Sequence, residues 1–401
     1  MTSIPDPGKR DEAILCVVGW WPEGTHVGGI FIREHVEAVA EHYKMIVVHG
    51  IVSKGSSLWP SIQVLSTEEN GVIVHRIKIH TWLRRFGLSN YLIRRTYGKV
   101  VHKMERAHNL RLMHIHVRTD ESEQALFLTK KSGLDVVISE HNSFYNLGMN
   151  KFSARKWDLE RKRIRAWFGH SSIHKVMPVS QHLGNTLYKN FGVPREKIKV
   201  IPNIAAADFV PGPPPATDRF QIMLAAYWRP PKDHDVFIEA MKLIPSELAK
   251  RCSVVWGGSG PHMEQIRERC ANELKDFDIR FPGYLDKAAM AEWMQSSHVF
   301  VLPTKSENLP CVILESLSCG TPVISMDLNG IPEMVNEHNG ILVPASDPHR
   351  LADAIMTMFS AHKRYDRNAI AADAFSRYSV EVIASQILEV YDEVIRKPHG
   401  E

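Results

Sequence analysis

One pattern restricts this chain more than any other. Short apolar runs alternate with segments of helical periodicity, and the alternation occurs twice, on either side of a proline-rich break. Such an alternation builds parallel sheets covered by helices, and its repetition predicts two α/β domains. AILCVVG (13–19) reads as a strand, FIREHVEAVAEHY (31–43) as a helix and MIVVHG (45–50) as the next strand. LMHIHV (112–117), DVVISEH (135–141) and KVMPVS (175–180) are further strands, each ending in polar residues, where open parallel sheets place ligands. PNIAAADFVPGPPPATD (202–218) can continue neither a helix nor a central strand. RFQIMLAAYW, DVFIEAMKLI, CSVVWGGSG, HMEQIRERCANEL and HVFVLPT then restart the order, and TPVISM, GILVP and LADAIMTMFSA extend it. The expected division is 1–201, a linker at 202–218, a second domain at 219–379, and a closing segment, 380–401. That segment's helix (380–396) carries an apolar stripe to pack back on the first domain.

With 401 residues, 44% of them hydrophobic, the chain is long enough to bury two cores. Cys16, Cys252, Cys270, Cys311 and Cys319 are scattered and odd in number, which fits reduced core thiols and a cytoplasmic setting. The first twenty residues do not read as a signal peptide, and no apolar run is long enough to span a bilayer. The charge is uneven. Residues 1–200 hold 30 Lys and Arg against 18 Asp and Glu, and the remainder 19 against 27. The basic excess falls in 76–103 and 151–170, interleaved with aromatic and leucine side chains. That mixture suits an anionic membrane surface or an anionic acceptor, or else a solvated basic helix face packed through its aromatics. Nucleic acid lacks any supporting motif.

KSENLPCVILESLSCGTPVIS (305–325) carries the densest chemistry. Pro310 suits the first helical position and Gly320 the stop, so a helix is expected over about 310–319. Glu307 and Asn308 then precede a helix N-terminus, where unpaired N–H groups and the helix dipole favour phosphate. Glu315 sits mid-helix among Val312, Ile313, Leu314 and Leu317 and needs a partner if buried. Sugar hydroxyls would serve; so would a neighbouring base or an exposed strip.

The segment resembles the signature of the retaining glycosyltransferases of family 4, in which two glutamates are separated by seven residues at the head of a helix. WPEGTHVGGIFIREHVEAVAEH, a strand ending in His141, WGGSGP, FPGYL, NGIPEMV and NGILVPASDP follow the family's order over residues 13–396. The resemblance implies the GT-B fold, two Rossmann-like domains facing a central cleft, with the C-terminal helix crossing back. It implies sugar transfer from a nucleoside diphosphate donor to a polysaccharide or lipid-linked acceptor, with retention and without a metal ion or other cofactor, at the inner face of a membrane. By it, Glu307 would contact the transferred sugar, Glu315 the ribose, and Asn308 and the N–H groups of Leu309, Cys311 and Val312 the diphosphate or sugar.

Lys232 and Arg229 would meet the charge that develops on the departing diphosphate. Arg229 stands nearer Lys232 than the family's arginine stands to its lysine; Tyr227 or Trp228 falls near the usual place. Gly258, Ser259 and Tyr284 would flank the nucleotide, and Gly28 and Gly29 would lie under the phosphates. His141 would contact the reacting sugar, with His116, Asp120 and Glu140 as acceptor candidates. Asp233 and Asp235 resemble a manganese-binding pair, but their place at a helix start favours capping. A nucleotide-sugar epimerase on the same fold, a nonenzymatic nucleotide-sugar-binding partner subunit and an anionic-polymer binder are the competing functions.

Overall fold

The computed structural model describes residues 11–23, 28–55, 59–81, 88–146, 152–213, 215 and 217–396. Residues 24–27 of the glycine motif and 82–87 of the first basic stretch lie outside the described residues. The chain forms two compact units. One runs to Pro202 and is completed by the residues from Ile383 on; the other is Asn203–Val382.

The first unit is built on a seven-stranded sheet in the order β3-β4-β2-β1-β5-β6-β7. Its strands are β1 (Glu12–Val18), β2 (Lys44–Ser53), β3 (Ser61–Glu69), β4 (Val72–His80), β5 (Asn109–His116), β6 (Val136–Glu140) and β7 (Ile173–Pro178). Only the β3–β4 pair is antiparallel. Ala13 to Val18 are all fully buried, because a parallel strand covered on both faces must be apolar throughout. The edge strand β3 is exposed along nearly its whole length. Its hairpin turns at Asn70-Gly71, both with positive φ, the geometry that twisted antiparallel strands favour. Helices α1 (Ile30–Ala38), α2 (Leu88–Ala107) and α3 (Ala154–Phe168) belong to this unit.

The second unit has a six-stranded, wholly parallel sheet in the order β10-β9-β8-β11-β12-β13. These strands are β8 (Phe220–Tyr227), β9 (Cys252–Ser259), β10 (Asp278–Gly283), β11 (Val299–Leu302), β12 (Val323–Met326) and β13 (Gly340–Val343). The strand order reverses between β8 and β11, and at such a switch point the loops diverge to leave a crevice at the strands' carboxyl ends. Around it lie α4 (His234–Lys242), α5 (Met263–Glu273) and α6 (Cys311–Ser318), over a core that includes Trp228, Phe237, Trp256 and Ile355. The proline-rich stretch folds with this unit at its start. Asn203 Nδ2 donates to Leu309 O at 2.7 Å, Ala205 N donates to Tyr378 O at 2.9 Å, and Ile204 and Phe209 are buried.

The last helix, α7 (Val380–Ile395), joins the first unit from Ile383 onward. Ile387, Val390, Tyr391 and Val394 are its buried stripe. The Tyr391 hydroxyl lies 2.7 Å from His114 Nδ1, Tyr43 donates to Asp392 at 3.3 Å, and Lys175 pairs with Glu393 at 2.9 Å. Among the described residues no helix is long and apolar enough to cross a membrane.

Candidate functional site

In the second unit, the carboxyl ends of β8, β9, β10 and β11 carry the residues singled out in the sequence. β8 ends in exposed Tyr227 and fully buried Trp228, whose indole N–H donates to Gly257 O at 2.8 Å. Lys232 then forms an antiparallel bridge with Thr304, just after β11. That bridge brings the Lys232 ammonium onto the Glu307 carboxylate as an ion pair, and Thr304 Oγ1 donates to the same carboxylate at 3.4 Å. Each side chain of the pair is only 17% exposed, so the charges face each other with little solvent between them. Arg229 is exposed beside Tyr227, its guanidinium carbon 5.4 Å from that ring's centroid, and is not part of the ion pair.

α6 begins at Cys311, one residue later than expected. Pro310 is extended, with φ −69 and ψ 120, and so is the N-cap rather than the first helical residue. A proline side chain has no polar atom with which to cap, and no side-chain cap bond is made there; Ile313 N donates to Pro310 O at 3.0 Å, and the positive end of the helix dipole lies at this turn. Asn308 and Leu309 are buried, while Cys311, Val312 and Glu315 are half-buried. Gly320 stops the helix with φ +73, and a Cβ there would come within 2.5 Å of Arg367 O.

Gly258 has a packing reason that the sequence reading did not supply. At φ +106, a Cβ on it would lie 1.9 Å from Ala226 O, so only glycine lets the end of β9 close against β8. Ser259, half-buried, accepts from Trp228 N through its backbone oxygen at 2.7 Å, and Tyr284 stands exposed after β10. Asp233 occupies the N-cap position of α4, yet its side chain does not cap the helix. It pairs instead with Lys305 at 3.1 Å and accepts from Ser346 Oγ at 3.1 Å, while Asp235 pairs with Arg269 at 2.6 Å. The two carboxylates are thus tied to separate cations.

In the first unit the corresponding edge holds Gly28 and Gly29, His116, Glu140 and His141. Gly29, with φ +89, lets α1 start against the loop after β1, where a Cβ would come within 2.7 Å of the Trp20 carbonyl carbon; Gly28 is half-buried beside it. Two acceptor candidates are corrected by burial. Glu140 is 0% exposed and accepts from the backbone N of Arg118 (3.2 Å), His141 (2.9 Å) and Asn142 (2.9 Å) and from the Tyr145 hydroxyl (2.8 Å). Burial raises its carboxyl pKa against the pull of those donors. A carboxylate so enclosed holds the loop that carries His141 and presents no face to an acceptor. His116 is likewise 0% exposed.

His141, half-buried, packs on Phe31 with ring centroids 4.7 Å apart and on His35 at 5.3 Å. Asp120 is exposed and pairs with Arg163 at 2.8 Å, on the rim of a cavity of about 660 Å³ also lined by Arg94, Phe127 and Trp167. His35, Thr304 and Arg118 were not foreseen. Arg118, half-buried, pairs with Glu123 and Glu160, and a lone arginine after a strand carries no signal of such a role. Half of the basic residues of α3 are matched by acids: Arg161 and Lys162 pair with Asp158, and Arg163 pairs with Asp120 and Glu123.

Residues 219–361 match the family described as Glycosyl transferases group 1, and residues 37–208 match Glycosyltransferase Family 4. A phosphatidyl-myo-inositol mannosyltransferase from Mycobacterium leprae is 31% identical over 48% of this chain and 53% of its own. An alpha-D-kanosaminyltransferase from Streptomyces kanamyceticus is 22% identical over 70% of this chain and 77% of its own. The chain spans about half the length of the mannosyltransferase and of the D-inositol 3-phosphate glycosyltransferases it matches. Among solved structures, Anabaena Alr3699/HepE in complex with UDP and glucose superposes with a TM-score of 0.71 at 16% identity, over 94% of this chain and 98% of that one. The glycosyltransferase from Rickettsia africae ESF-5 gives 0.70 at 16% identity, over 97% and 100%. With two parallel-sheet units in this order, the chain belongs to glycosyltransferase family 4, the glycosyl transferases group 1, and has the GT-B fold.

Proposed function

We propose that the chain transfers a sugar, with retention of configuration, from a nucleoside diphosphate donor to a polysaccharide or lipid-linked acceptor at the cytoplasmic face of a membrane. The observation that carries the reading is the Lys232–Glu307 ion pair beside the proline-capped start of α6. A departing diphosphate gains negative charge, and a preorganised ammonium together with the positive end of a helix dipole stabilises that charge without reorganising at the moment of reaction. Lys232 and the first turn of α6, with Arg229 at the rim, take that part. Glu307, held by Lys232 and Thr304, accepts hydroxyl hydrogen bonds from the sugar. Glu315 holds the ribose. The bond from the anomeric carbon to the phosphate breaks, the acceptor oxygen bonds to that carbon on the same face, and the acceptor proton passes to the leaving phosphate. These cations perform the task a metal ion would, so the reaction is proposed to need no metal and no cofactor. The names of the relatives support sugar transfer, a phosphatidyl-inositol acceptor in one of them supports a lipid-linked substrate, and the UDP and glucose bound by a neighbour support the donor class.

The test is incubation with a panel of nucleotide sugars, with and without membrane extract. Glycosylated extract is expected, and Glu307→Ala is expected to abolish it while the circular-dichroism melt is retained. Full transfer by that variant refutes the role of Glu307. Isomerised donor without extract identifies an epimerase instead, and binding without turnover identifies a nonenzymatic partner.

A further inference from the structure

Three histidines from three elements of the first unit converge. His35 comes from α1, His116 from the end of β5 and His141 from the residue after β6, and one ring nitrogen from each lies within 4.8 Å of the others. His35 Nε2 faces the Pro202 carbonyl at 3.0 Å; a carbonyl only accepts, so Nε2 carries the proton. In the neutral tautomer that this contact selects, Nδ1 holds the lone pair. That Nδ1 is buried without a hydrogen-bond partner. His116 is wholly buried and neither of its ring nitrogens has a partner. Buried polar atoms are almost always satisfied, so orphaned nitrogens on rings grouped this closely point to a missing ligand. An imidazole that gives its second N–H to a backbone carbonyl is also the usual arrangement of a metal-bound histidine.

A second grouping, Cys16 with His114 and His116, fits less well. The nitrogens of His114 already meet the hydroxyls of Tyr391 and Ser139, and burial pushes the Cys16 thiol far up, away from the thiolate that ligates.

We infer that His35, His116 and His141 form a binding site for a borderline-soft divalent cation, zinc being the type, held by three neutral imidazoles with a fourth position open. Nitrogens bound tetrahedrally at about 2.0–2.1 Å from zinc stand about 3.4 Å apart, so the rings close by up to about 1.4 Å through side-chain rotation. The cation clamps α1 to the ends of β5 and β6. It acts on the fold of this unit; His141 is also the residue expected from the sequence to contact the reacting sugar, so the cation site is read by metal binding and the melt and not by transfer.

The probe is Co²⁺ added to the full chain, followed by its visible d–d absorption, with Zn²⁺ displacing it in competition with a chromophoric chelator. One cation per chain is expected, with the spectrum of a nitrogen-ligated tetrahedral centre and a thermal melt raised by Zn²⁺. His141→Ala, the half-buried ligand, and His35→Gln, which keeps much of the side-chain volume, are each checked for an intact melt. Each is expected to weaken binding by at least about tenfold and to remove the zinc-dependent rise in the melt. No binding by the wild-type chain overturns the site, as does equal binding by either folded variant.

Discussion

Replacing Glu140 by alanine removes a single acceptor on which four donors converge. The backbone N–H groups of Arg118, His141 and Asn142 and the Tyr145 hydroxyl all end on this carboxylate, at 2.8–3.2 Å, in a place with no solvent exposure. A buried donor left without an acceptor costs about 1–3 kcal/mol. The hydroxyl can turn elsewhere and a water can enter the vacated volume, so three orphaned amides translate into about 3–5 kcal/mol, at the upper end for a single substitution. Glu140→Gln keeps the volume and one acceptor oxygen, so it is expected to cost about half as much. Urea unfolding of the full chain, followed at a tryptophan of the first unit, measures the shift in midpoint at constant slope. Hydrogen exchange over 140–146 reports whether the loop itself loosens. A Glu140→Ala midpoint within about 0.5 kcal/mol of wild type, with unchanged exchange, would mean that the carboxylate is not what holds the loop and would refute the reasoning.

Other outcomes follow from the same geometry. Gly258→Ala sets a Cβ 1.9 Å from Ala226 O on a residue at φ +106, and is expected to destabilise the second unit by about 2–4 kcal/mol in a thermal melt; a melt like that of wild type would contradict the close approach. His49 in the first unit and His298 in the second are each drawn by burial from an ordinary value of 6.5 down to about 4. Between those limits the unfolded chain binds protons that the folded chain does not, so stability is expected to fall as pH drops from 6.5 toward 4. Urea midpoints across that range check this, and His49→Gln should lessen but not abolish the dependence of the first unit, since His35 there is drawn down to about 4 as well.

Much of the fold was legible because both sheets are covered on two faces, so strands such as Ala13–Val18 and Ile222–Ala225 show as unbroken apolar runs. The β3–β4 hairpin escaped because its edge strand is exposed and lacks such a run, although Asn70-Gly71 was the signal that would have placed it. Lys232 and Glu307 were singled out from two separate motifs, but nothing in the spacing showed that the bridge to Thr304 would pair them. The burial of Glu140 and His116 was not. A polar residue at a strand end reads the same whether the next loop folds over it or away, and here Tyr145 and the turn at 141–142 fold over it. Pro310 was placed one position too far into its helix for a similar reason, since a proline φ suits the N-cap and the first turn alike.

The seating of α7 in the first unit sets an order of assembly. Everything from Asn203 to Val382 is synthesised between the two parts of that unit, so the second unit is complete on the ribosome while the first still lacks the helix that covers Tyr43 and His114. α7 thus acts as a latch on a portion made before the second unit. A nascent chain halted at Val382 carries one finished half and one half with its apolar flank open, which is the form that chaperones and proteases would meet.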